Sequence, residues 1–397
     1  MSFFKAFSQD KWRDFLGAVG DEFRAESDLK SFLVTLNEIG GWDDVHFHEG
    51  YPFYVKADGH NYFGQRNLHR RDLELLCSVF SKGEDSVYGD IISGRMLDES
   101  YKVMSKDRTS EFRYRIHIVA CETGEGNQGV RIAVRSIKDQ IPSIDDVQIS
   151  KSELAELFPL NGGVYVGGET GSGKSTTLAA CIGEIIEHSD KARTILEWAQ
   201  PIEYTYRSVI SKTKSRAVHI MQHAVGRDVS NFVEAVRSSL RSNGDTVIIG
   251  EMREYETIDA ALLMANSGHH VLGTVHTKSP VDCFNRLAKS FPGDQQERAL
   301  AELASSTRTL LNQMLVQGVD DRRLPLRAWI TIDSALEYKL LKSKSSDYTG
   351  ILIEAYREQG RTFEKNAAEL LRLEKIDQKM FNLVAKRELT TLEAING

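Results

Sequence analysis

The sequence predicts an α/β protein: a small N-terminal α+β domain, then a parallel sheet covered by helices, then a helical C-terminal region. Three observations predict it. Between residues 36 and 137, short stretches alternate apolar and polar side chains around turn signals. After residue 153, β-like runs and helix-like stretches take turns. From about residue 343 the chain is charged and helical in its periodicity. Strands that alternate with helices imply a parallel sheet whose faces those helices cover. A chain of 397 residues has room for more than one such domain.

Residues 1–35 carry Phe3, Phe4, Phe7, Trp12, Phe15 and Leu16 at loosely helical spacing, which predicts a helical extension. "DDVHFHEGYPFYVKADGHNYFG" reads as β-hairpins, with turns at Glu49-Gly50 and Asp58-Gly59. Arg70 to Lys82 reads as an amphipathic helix. "SEFRYRIHIVAC" and "GVRIAVRSI" read as two strands joined by the Gly-rich "ETGEGNQ". Together these make an N-terminal domain over 1–137. Residues 138–152 are polar with one proline and form a linker. The second domain, 153–342, runs through "GGVYVGG", a helix from Lys174, "ARTILEWA", "VHIMQH", a helix around Val229 to Ser242, "DTVIIG", a helix around Thr257 to Ala265, and "HVLGTVH". Residues 343–397 follow as the helical C-terminal region, with helix over Ala355 to Lys386.

Composition narrows the function classes. Hydrophobic residues make up 41% and charged residues 27%, as in an ordinary globular protein with ample core. The net charge of −7 disfavours a chain-wide field for nucleic acid. Cys77, Cys121, Cys181 and Cys283 are scattered, with no CxxC pair, which suits a reducing compartment rather than a zinc ribbon or a disulfide framework. Lys5, Asp10, Lys11, Arg13 and Asp14 interrupt the N-terminal apolar residues, so that stretch reads as neither signal peptide nor spanning helix.

The chemistry is concentrated in the second domain. Gly168, Glu169, Thr170, Gly171, Ser172, Gly173, Lys174 and Ser175 fit G-x-x-x-x-G-K-[ST], after an apolar β-like run and at the start of a helix. In that setting backbone N–H groups turn inward around phosphate oxygens, and the helix N-terminus adds a favourable dipole. Lys174 is expected to reach the β- and γ-phosphates, Ser175 to hold Mg2+, and Thr176 to lie near the α-phosphate. An NTPase also needs a carboxylate at the end of a second strand, to hold Mg2+ through water or to orient the attacking water. "DTVIIGE" supplies Glu251. Glu197 and Glu203 fall in "TILEWAQPIEYTY", and Glu203 is placed to position or deprotonate water.

These motifs, in this order, resemble those of the secretion ATPase superfamily (PilT/GspE-like): "GETGSGKSTT" its phosphate loop, "QPIEY" its acidic box, "GEMREYET" its second Walker motif and "SGHHVLGTVHT" its His box. "GWDDVHFHEGYPFYVKADGH", "SEFRYRIHIVAC" and the "FPGDQQ" segment resemble further family stretches, so the likeness spans roughly residues 35–335. It is closest to the type IV pilus retraction and type IVB secretion/conjugation (DotB/TraJ) branches. The chain departs from the pattern at Ala199 and Gln200, where the family carries two acids, at Glu254 for an Asp, and at Arg115 for an Asn.

The resemblance implies a PAS-like N-terminal domain and a RecA-like P-loop domain that hydrolyses ATP with Mg2+. Glu203, Glu251 and His276 are its catalytic residues. His269, Arg113, Arg131 and Arg135 are sensor or arginine residues, the arginines approaching nucleotide from the N-terminal domain. His276, at the end of a strand expected beside the phosphate-loop strand, would face the γ-phosphate. The resemblance further implies a homo-hexameric motor, cytoplasmic and peripheral to the inner membrane. It would be held there by platform or secretion-system proteins, with no direct nucleic-acid contact. Two other functions stay open: a nucleic-acid-translocating RecA-like ATPase, and a nucleotide-gated scaffold without turnover.

Overall fold

The computed structural model describes residues 12, 15, 16, 23–57, 60–108, 111–137, 140–213, 217–320 and 322–396. Most of the helical extension expected over 1–35, and the Asp58-Gly59 turn, lie outside these residues. The chain divides into two units, 1–139 and 140–397.

The first unit is built on β1 (Trp42–His48), β2 (Pro52–Ala57), β3 (His60–Asn67), β4 (Leu97–Met104), β5 (Glu111–Glu122) and β6 (Gln128–Ile137). They form one antiparallel sheet in the order β3-β2-β1-β6-β5-β4. Period-two side-chain placement decides its faces. Val45, Phe47, Phe53, Val55, Ile116, Ile118, Ile132 and Val134 are fully buried, packed with Leu29, Phe32, Leu33 and Leu36 of the helix Glu26–Ile39. Asp44, His46, Arg113, Arg115, Arg131 and Arg135 occupy the alternate positions, on the face away from that core.

The second unit is built on β7 (Gly162–Gly167), β8 (Arg193–Ala199), β9 (Val218–Ala224), β10 (Thr246–Ile249), β11 (His270–Val275), β12 (Thr307–Gln317) and β13 (Arg323–Thr331). Their order is β13-β12-β7-β11-β10-β8-β9, all parallel to their neighbours except β13, which pairs antiparallel with β12. The strands read as near-continuous apolar runs because both faces are covered. Tyr165, Val247, Ile249 and Val271 join the core on one face; Val164, Val166, Ile248 and Leu272 join that on the other.

Part of the expected linker is packed into this unit: Ile144, Val147 and Ile149 are buried with Leu178 and Ile182 of the helix Lys174–His188. The helical C-terminal region is a short 3-10 turn, Ser345–Asp347, and then the α-helices Tyr348–Gln359, Phe363–Arg372 and Gln378–Asn396. The first break falls at Gly360, in left-handed backbone with φ 68°, and the next helix opens where the buried carboxylate of Glu388 accepts the N–H groups of Phe363 and Glu364; the second falls between Arg372 and Gln378, where Glu374 takes left-handed backbone at φ 55°. Among the described residues no helix is long and apolar enough to cross a membrane.

Candidate nucleotide-binding site

β7 feeds the helix Lys174–His188 through a turn that needs its glycines. Gly168 sits at φ 148° and Gly173 at φ 83°, conformations that side chains other than glycine's rarely adopt. Space is closed as well. A Cβ on Gly168 would lie 2.5 Å from the carbonyl oxygen of Gln313, and one on Gly173 would lie 2.9 Å from Nε2 of the same glutamine. Lys174 Nζ donates to the carbonyls of Gly168 (2.6 Å) and Glu169 (3.0 Å), so the ammonium lies against the loop's own backbone. Burial pulls its pKa below the usual lysine range, and the carboxylates of Glu251, Glu203 and Glu169 act in the opposite direction. A helix N-terminus, a glycine-rich turn and a half-buried lysine together fit an anion such as a nucleotide's phosphates. Ser175 and Thr176 lie half-buried in the first helical turn.

Parallel pairing brings the second carboxylate and the last histidine of "GHHVLGTVHT" together. β11 lies between β7 and β10, as the sequence suggested for the His-box strand. Glu251 follows β10 and His276 follows β11, at neighbouring C-terminal strand ends, and His276 Nε2 is 3.1 Å from Glu251 Oε1. The loops are tied by the Met252 N–H donating to the Thr274 carbonyl at 2.9 Å. The same carboxylate oxygen meets Arg253 Nε at 2.5 Å.

The other two histidines are not brought to this edge. His269 and His270 lie at the opposite end of β11, about 20 Å away along an extended strand. His269 Nδ1 is 3.2 Å from the Ser267 hydroxyl. His270 is fully buried, with Nδ1 3.2 Å from the Thr246 hydroxyl and its ring edge-on to Phe158. Burial pushes its pKa down to about 3, so it is a neutral core histidine.

The acidic-box strand β8 is not adjacent to β7; β10 and β11 stand between. The chain beyond it nonetheless reaches the phosphate loop, because the Tyr204 hydroxyl is 2.9 Å from the Thr176 hydroxyl. Glu203 precedes Tyr204 and acts on Lys174. Behind them, Glu197 Oε2 accepts from Gln222 Nε2 at 2.7 Å, and burial pushes its carboxyl up to about 7.

That shift has a stability consequence. Glu197 binds its proton more tightly folded than unfolded, so its contribution is present below about pH 4.5 and is lost as pH rises through about 7. Glu197→Gln keeps the acceptor for Gln222 and removes the ionisation. The variant is expected to melt higher than the wild type at pH 8, by about 1–3 kcal/mol, and with no advantage at pH 4.5. Melting curves across that range check it; parallel curves for the two proteins would mean Glu197 does not ionise there.

The three candidate arginines, Arg113, Arg131 and Arg135, are each engaged within the first unit. Arg113 Nε donates to Glu111 (2.8 Å), an Arg131 NH2 lies 3.2 Å from His46 Nδ1, and Arg135 forks onto Asp44 at 2.7 and 3.0 Å.

The structure adds residues that motif reading missed. Asn312 and Gln313 are buried in the middle of β12. Asn312 Nδ2 donates to the Thr277 hydroxyl beside His276 at 2.8 Å, and Gln313 Nε2 donates to the Ser172 carbonyl of the phosphate loop at 2.7 Å. Two adjacent amides inside the apolar run "TLLNQMLV" were the available signal.

Residues 97–385 match the family described as Type II/IV secretion system protein. The chain belongs to that family. It is 35% identical over 199 residues to the uncharacterized protein YggR of Escherichia coli, a match covering 50% of this chain and 58% of that protein, under two thirds of its length. It is 28% identical over 295 residues to the type IV pilus retraction ATPase PilT of Pseudomonas aeruginosa, covering 74% of this chain and 79% of PilT. Among solved structures, the Legionella pneumophila ATPase DotB superposes with a TM-score of 0.82 at 27% identity, covering 93% of this chain and 99% of DotB. The pilus retraction motor PilT with bound ADP gives 0.75 at 25% identity, covering 90% of this chain and 96% of that one. The family match confirms the secretion ATPase likeness drawn from the ordered motifs, and the two structures confirm the α/β class with an N-terminal domain, a RecA-like domain and a helical C-terminal region.

Proposed function

We propose that this chain is the ATP-hydrolysing motor of a type IV pilus or a type IV secretion/conjugation machine. It works as a homo-hexamer in the cytoplasm, peripheral to the inner membrane and held there by platform or secretion-system proteins. The observation that carries the reading is one sheet edge that gathers the loop Gly168–Ser175, Glu251 and His276 on adjoining strands β7, β11 and β10. The family match and the relatives' ATPase names support it.

The backbone of Gly168–Gly173 and the Lys174 ammonium would take the phosphates of ATP. Ser175 would hold Mg2+, with Glu251 holding it through water, and the bound ion supplies charge neutralisation on the phosphates. Glu251 is also placed to orient or accept a proton from water, its carboxylate held by Arg253 and His276. Glu203 is the second carboxylate acting on Lys174. His269 lies at the far end of β11 from the loop, and Arg113, Arg131 and Arg135 belong to the first unit. In a ring the arginines of one copy would complete a neighbour's site.

His276→Ala tests the reading. Turnover is expected to fall about ten-fold or more, the low end for one positioned catalytic group. ATP binding and the melting temperature should stay close to wild type, because the side chain stands part-exposed at a strand end. Wild-type phosphate release from the variant would remove the histidine from the reaction. Unfolding would make it a core residue.

A further inference from the structure

We propose that Arg327 is a positioning residue of the ATPase: through Gln313 it holds the phosphate loop in shape, and it ties that shape to the segment 143–149 through which the chain enters the second unit. The proposal rests on reading Gly168–Thr176 as the nucleotide site. Arg327 on β13 stands directly across from Gln313 on β12. Four of the five guanidinium N–H groups go to neutral oxygens. Nε donates to Gln313 Oε1 at 2.7 Å, NH2 to the Val147 carbonyl at 2.6 Å and the Thr177 hydroxyl at 3.1 Å, and NH1 to the Gln148 carbonyl at 3.1 Å.

These bonds fix which way the Gln313 amide points. The Thr177 hydroxyl also donates to Gln313 Oε1, at 2.9 Å, so both neighbours on that side are donors. Turning the amide over would set its NH2 against them. The oxygen therefore faces Arg327, and Nε2 is left to donate to the Ser172 carbonyl in the phosphate loop. Gln313 and Thr177 are almost wholly buried, and an unpaired amide there is costly. The same glutamine presses on Gly168 and Gly173, so its position and the loop's are one arrangement.

The other end of the relay is a built turn. Asp146 Oδ2 accepts from the N–H (2.9 Å) and the hydroxyl (2.8 Å) of Ser143, and Gln148 takes left-handed backbone at φ 55°. This presents the Val147 and Gln148 carbonyls side by side to the fork of Arg327. A lysine's single ammonium cannot span both carbonyls and Gln313. Arg327 forms no ion pair among the described residues, which leaves its positive charge beneath a loop read as binding phosphate.

The test uses the full chain, titrated with a fluorescent ADP analogue and assayed for ATP turnover. Arg327→Lys and Gln313→Leu are each expected to raise the ADP Kd and the ATP KM about five- to twenty-fold, with kcat within about three-fold. The double variant should be no worse than either single one, since both break one relay. Asp146→Ala, at an exposed position, should weaken binding about two- to five-fold alone and add nothing to Arg327→Lys. It carries the test if the buried variants melt early. Wild-type affinity in Arg327→Lys, or additive losses, overturns the relay. Lys174→Ala binding nucleotide as tightly as the wild type overturns the site itself, and the proposal with it.

Discussion

Lys174→Ala is expected to bind ATP and ADP at least about 100-fold more weakly than the wild type and to show no measurable turnover. The ammonium lies on the carbonyls of Gly168 and Glu169, within the loop read as the phosphate cradle, and it is pulled below its ordinary pKa by burial. A half-buried cation hydrogen-bonded to two carbonyls gains a full anion when phosphate enters, and losing such a partner costs about 3 kcal/mol or more. Because Lys174 stands at the first position of its helix, and alanine keeps that helix, the variant should melt near the wild type. Calorimetric titration beside a melting curve separates lost binding from lost folding. Binding at wild-type strength would mean the loop cradles something other than phosphate.

Glu251→Gln should behave differently: ATP binding within a few-fold of wild type, and hydrolysis lower by about 100- to 10,000-fold. The amide keeps the shape beside His276 and Arg253 but can neither take a proton nor serve as an anionic partner for a metal. Single-turnover phosphate release against equilibrium binding of the same nucleotide checks the split. Equal losses in both would make Glu251 a structural residue that holds the loops after β10 and β11.

What the sequence made legible was local or periodic. The phosphate loop is contiguous, with its strand before it and its helix after it, so chemistry and context are read together. The outward arginines of β5 and β6 follow from strict alternation with buried Tyr114, Ile116, Ile118, Val130, Ile132 and Val134. Strand order was less legible, because pairing partners are distant in the chain. β8 is separated from β7 by β10 and β11, and the acidic box reaches the loop only because the residues after Pro201 fold back to Thr176. Gln313 and Arg327 were invisible to motif reading for the same reason: their partners in the loop and at Val147 lie more than a hundred positions away. His269 and His276 look alike in "GHHVLGTVHT", yet an extended strand sends its two ends to opposite edges of the sheet.

Steady-state phosphate release by the full chain, with and without Mg2+ and with and without single-stranded DNA, tests the central claim most directly. The account predicts Mg2+-dependent release that the DNA leaves unchanged and that Lys174→Ala abolishes. Release that appears only with DNA would make the chain a nucleic-acid motor, and nucleotide binding without release would make it a scaffold; either result contradicts the account.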